Sequence, residues 1–143
     1  MPTKKRSPRF ALAIVLAVAI CMTGLYFFSP ANAGSLFTNA QSVTLRAAEE
    51  TLILEPGDAR LQDLKALFTE YHCFRSAKQL EDDGTLDVED GTCFQLDIST
   101  GEKTATITIA GKYLVSGGNV WTVGLFGGKA EALQARLTAL LAE

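Results

Sequence analysis

Six carboxylates crowd into the eleven residues from Glu81 to Gly91, namely Glu81, Asp82, Asp83, Asp87, Glu89 and Asp90. Several oxygens at close quarters are what a hard cation such as Ca2+ requires. The spacing departs from that of an EF-hand loop. With Gly84 as its glycine, the first ligand position falls on Gln79, and no Glu stands six places later. The run reads instead as a solvated loop or an acidic surface facing a partner. His72 is the single histidine, so the nitrogen and sulfur donors of a transition-metal site are lacking. The sequence points to no metal and no cofactor.

Cys73 follows His72 directly, a pairing that raises the question of a thiol nucleophile and its base. Helical neighbours point about 100° apart, and the chain has no C-x-x-C spacing, so nucleophilic or redox chemistry is disfavoured. If an N-terminal leader carrying Cys21 is removed, Cys73 and Cys93 remain as an even pair. In an oxidising compartment the expectation is a bridge closing the 19 residues between them. Gly124 to Ala130 has some likeness to a phosphate loop, but it is one residue short before Gly128-Lys129 and has Ala130 where Ser or Thr must stand. Ser116 is outside any G-x-S-x-G elbow, so a hydrolase triad is unsupported. Tyr113 and Trp121 sit on neighbouring predicted strands and could form an aromatic partner surface, although core or cross-strand packing is the commoner fate of such residues.

The elements that would position these groups follow from periodicity. Lys4, Lys5, Arg6 and Arg9 precede a run from Phe10 to Phe28 interrupted only by the polar Thr23, and Pro30-Ala31-Asn32-Ala33 offers a small-x-small cleavage site. Residues 1–33 therefore read as a signal peptide cleaved after Ala33. The alternative is an uncleaved single-pass anchor, since the run reaches the roughly 20 residues that span a bilayer. Both place the remainder outside the cytoplasm, periplasmic or extracellular. Cys21 follows Ile20, which is too bulky for a lipoprotein signal. Pro30, with no acid in the apolar run, disfavours a pilin-like helix. Residues 34–42 are small and polar and suit a flexible lead-in.

Residues 43–143 are predicted to form a single α+β domain. Residues 43–47 and 51–54 supply strand pieces, although Ala47 to Glu50 would also suit a helical turn. Leu61, Leu64, Leu67, Phe68 and Tyr71 then recur at helical spacing behind Asp58, predicting a helix over about 58–73. From Cys93 the period becomes two, and residues 93–126 read as a three-stranded antiparallel meander, with one unbroken strand from Ala105 to Val115. A second amphipathic helix follows over about 128–142. The predicted architecture is a two-layer sandwich, the meander covered by two helices, with a further strand available on the N-terminal side.

Beyond residue 33 the chain carries nine Lys and Arg against 16 Asp and Glu, a formal charge of −7. That balance argues against nucleic acid as a partner. The expected function is a non-catalytic protein-binding module of the cell envelope or extracellular space: an inhibitor, an immunity-type factor or a component of an envelope complex. Its membrane contact would run only through residues 10–28, if these are retained. A small-ligand or enzymatic domain is the alternative, with a site drawn from dispersed residues such as His72, Asp97, Glu102 and Tyr113.

Overall fold

A computed structural model describes residues 7–88 and 91–143. The apolar N-terminal run forms helix α1 (Pro8–Phe28), with no residue buried. It is 21 residues long and apolar enough to cross a membrane, and at 1.5 Å per residue it extends about 31 Å, the thickness of a hydrocarbon core. Then follow β1 (Ala31–Asn32), a 3-10 turn (Ala33–Phe37), β2 (Ser42–Ala47), β3 (Glu50–Leu54), α2 (Ala59–Glu70), β4 (His72–Arg75), β5 (Cys93–Ser99), β6 (Thr104–Ala110), β7 (Tyr113–Ser116), β8 (Asn119–Val123), a second 3-10 turn (Leu125–Gly127) and α3 (Ala130–Ala142).

All strands join one eight-stranded antiparallel sheet in the order β1-β4-β8-β7-β6-β5-β2-β3. This corrects the three-stranded meander covered by two helices. The local hairpins were visible in the alternation, but the joining of β4 to β8 and of β2 to β5 is non-local and leaves no periodic signal. The expected helix over 58–73 also ran into β4: α2 ends at Glu70, and His72–Arg75 is extended. Within the meander, Ala110 pairs with Tyr113 across the two-residue loop Gly111-Lys112. The single strand expected from Ala105 to Val115 is therefore a hairpin, and Gly111 makes it possible by adopting φ +56. The fold reverses parity there, so Leu114, and not Tyr113 or Val115, is buried.

One face of the sheet carries Val43, Leu45, Phe94, Leu96, Ile98, Ile107, Ile109 and Val123, all nearly or fully buried. Each such side chain removed from water contributes about 1.5–3 kcal/mol before entropy is set against it. Leu61, Leu64, Leu67 and Phe68 of α2 and Ala130, Leu133, Leu137 and Leu140 of α3 cover that face. Asp58 caps α2 as its position suggested, its carboxylate accepting from the Arg60 N–H at 2.9 Å. The lead-in over 34–42 is also part of the core: Phe37 is fully buried and stacks on Phe68 with ring centroids 4.9 Å apart.

The expected Cys73–Cys93 disulfide is absent, and both cysteines are free thiols. Topology is the reason. Cys73 lies on β4 and Cys93 on β5, with β8, β7 and β6 between them. Four inter-strand steps of about 4.8 Å separate them by about 19 Å, whereas bridged Cα atoms lie within about 7 Å. They also occupy opposite faces, since Cys73 pairs with the buried Val123 and Cys93 with Ala110, which neighbours the inward-facing Ile109. Burial pushes the Cys73 thiol up to about 11, which makes it a poor nucleophile. Cys93→Ser is expected to leave the folding stability unchanged within about 0.5 kcal/mol, and the wild type to migrate identically with and without reductant. A reductant-sensitive melt would contradict this topology.

Candidate functional site

Within the acidic loop, residues 81–85 form a turn held by its own hydrogen bonds. Asp83 accepts from the Thr85 hydroxyl at 2.5 Å and the Thr85 N–H at 2.9 Å, bonds that hold its carboxyl below the ordinary range. The Glu81 N–H donates to the Thr85 carbonyl, and the Gly84 N–H to that of Glu81. Asp82 and Asp87 are exposed. Glu89 and Asp90 lie outside the described residues. Among the described residues no group of three or more His, Cys, Asp or Glu side chains is placed to hold a metal.

Tyr113 and Trp121 do not form one patch. Tyr113 pairs with Thr122, whereas Trp121 pairs with Leu114, so the two rings project from opposite faces. Trp121 packs against the core at the β4 end of the sheet. The dispersed set does not converge either: Asp97 is on β5, Glu102 in the following turn, Tyr113 on β7 and His72 four strands away on β4. Gly124 to Ala130 forms the 3-10 turn and the start of α3.

The uncovered sheet face is polar around Asp97. Arg46 donates to Asp97 at 2.6 Å, Thr106 donates at 2.9 Å and Gln95 at 3.2 Å. Partial burial works to raise the Asp97 carboxyl, but the Thr106 and Gln95 bonds and the Arg46 charge outweigh it and leave the carboxyl lowered from its ordinary 3.8. With the folded value below the unfolded one, the ionised form stabilises the fold. That contribution is complete above the unfolded pKa and is lost as pH falls through the lowered folded one. Asp97→Asn is therefore expected to cost up to about 1 kcal/mol at pH 7 and to shrink the wild-type loss of stability below pH 4, as read by melts at pH 7 and pH 2.5.

Sequence reasoning read the junction between α1 and the sheet as the end of a cleaved leader, with an uncleaved anchor as the alternative. Ala31 and Asn32 pair with Cys73 and His72 of β4. Asn32 donates its side-chain amide to the Thr69 carbonyl at 2.5 Å and accepts from the Gly34 N–H at 2.6 Å. Arg75 lies between two rings, its guanidinium carbon 4.6 Å from the Tyr26 centroid and 4.7 Å from that of Trp121, and it donates to the Tyr26 hydroxyl at 3.2 Å. Beside it a groove of about 470 Å³ opens between the last turns of α1, the β4, β7 and β8 strands and the Leu125–Gly127 turn. The aromatic end of the run, Tyr26-Phe27-Phe28, was the available signal, since such residues gather where a span meets water. No protein family matches the chain, and neither curated proteins nor solved structures yield a similar one.

Proposed function

We propose that this chain is an exported envelope protein that keeps α1 as a membrane tether and holds a protein partner, without catalysis, at the free edge of its sheet. The observation that carries this reading is the strand order. The sheet begins at β1, two residues beyond the membrane-length helix, and ends at β3. Seven inter-strand steps place β3 about 34 Å along the sheet from the tether. The far edge offers unpaired backbone donors and acceptors, and Ile53 beside them is 61% exposed. Between Glu50 at its start and the Glu55-Pro56 that follow it, this edge has an uncharged stretch from Thr51 to Leu54, and such a stretch is a template for a strand from another chain. The basic N-terminal residues Lys4, Lys5, Arg6 and Arg9 favour a cytoplasmic start and an outer domain.

Ile53→Lys places a blocking charge on that edge where little apolar burial is at stake. The tagged full chain and this variant, captured from native envelope membranes, are expected to differ in one stoichiometric protein, recovered with the wild type and reduced at least about tenfold with the variant. Equal recovery would remove the edge from the proposal. Recovery of a bait beginning at Gly34 would remove the tether.

A further inference from the structure

The groove at the α1 junction is lined mainly by apolar and aromatic side chains, among them Phe27, Phe28, Phe74, Tyr113 and Phe126. Its two charged lining residues, Lys112 and Arg75, are both cations, in a region of chain whose formal charge is −7. The lining also reaches back to Thr23 and Gly24 on α1, so the groove runs alongside roughly the last 9 Å of the apolar helix. Its wall is thus continuous with the surface that α1 presents to hydrocarbon.

Phe126 supplies an independent sign. It is 74% exposed, its backbone sits at φ +55, and its ring meets Phe28 edge-on at a centroid distance of 6.1 Å. A bulky residue in the left-handed region is strained, and in water most of the ring surface beyond its Phe28 contact stays exposed. Against the acyl boundary of a bilayer, the same ring is buried.

We propose that this groove seats one acyl chain of an anionic phospholipid from the membrane that α1 spans, with the lipid phosphate held at Lys112 and Arg75. The proposal rests on α1 being retained. Apolar length along the helix gives the site its depth, and the two cations of its lining select the headgroup. Leu125 and Phe126 enter the same interface beside it, so the domain would be fixed against the bilayer at two points.

The test is native mass spectrometry of the full chain released from nanodiscs containing equal phosphatidylglycerol and phosphatidylcholine. One phosphatidylglycerol is expected to stay bound, with a preference of roughly tenfold. Ala77→Trp fills the groove from an exposed position and is expected to abolish retention, while Lys112→Glu is expected to abolish the preference. Equal retention of both lipids by the wild type, or retention unchanged in Ala77→Trp, overturns the proposal while leaving the tether intact. A second membrane protein retained in place of lipid also overturns it. A chain beginning at Gly34 and absent from the nanodisc refutes the tether itself.

Discussion

Phe37→Ala is expected to lose about 3–5 kcal/mol of folding stability, the cost of deleting a fully buried aromatic side chain. Phe37 has no exposed surface and stacks on Phe68 of α2, so its removal opens a cavity between the 3-10 turn and the helix covering the sheet. For a domain of this size the melting temperature should fall by about 12 °C or more, measured for the full chain in detergent. The effect separates two accounts of residues 34–42. A flexible lead-in would tolerate the substitution with little change. The packed turn would not, and Leu36, partly buried against the same core, should give a smaller loss in the same direction.

A chain beginning at Gly34 should be less stable than one beginning at Ser29 by about 2–3 kcal/mol. Both lack α1, so the difference isolates residues 29–33. Starting at Gly34 removes β1 from the edge of β4 and deletes Asn32, whose side chain satisfies the Thr69 carbonyl and the Gly34 N–H. Each hydrogen bond of this kind is worth about 1 kcal/mol net, and a donor or acceptor left without its partner costs more. Paired chemical denaturation curves would measure the difference. If the two chains are equally stable, β1 is dispensable and the small-x-small sequence ending at Ala33 keeps its plain meaning as a cleavage site. If the shorter chain is weaker, cleavage there would cut into the folded domain.

These two experiments probe the region where the sequence was least transparent. The Asp58 cap and the helical spacing of Leu61, Leu64 and Leu67 were legible because each is a signal contained within a few turns of chain. The alternation from Phe94 to Ile98 was legible for the same reason. The hairpin at Gly111-Lys112 was hidden because Tyr113 and Val115 continue the rhythm of Ala105, Ile107 and Ile109, and the turn exchanges the faces without interrupting it. A strand from Ala105 to Val115 would have been about twice the usual length, which was the available warning. The disulfide failed on a different ground. Counting cysteines and naming a compartment cannot show that β4 lies beyond β8 while Cys93 lies across three further strands. His72–Arg75 itself was obscured by its position directly after α2. The groove escaped notice because part of its wall, from Thr23 to Phe28, belongs to a helix that the sequence reading treated first as a cleaved leader.

The strand order also dictates a sequence of events in biogenesis. β5 to β8 form from consecutive hairpins, and β2 with β3 from another, all of low contact order and quick to form. The strands that receive the end of α1 are different. β4 finds its partner about 50 residues later, with Cys73 opposite Val123 and Arg75 opposite Trp121, and β1 can pair only with β4. If α1 is the proposed tether, a chain made from its N-terminus places it in the bilayer long before the sheet edge that docks it exists. During that interval the domain end of such a tether would have only the lipid surface to rest against, and the junction would close only once β8 has emerged.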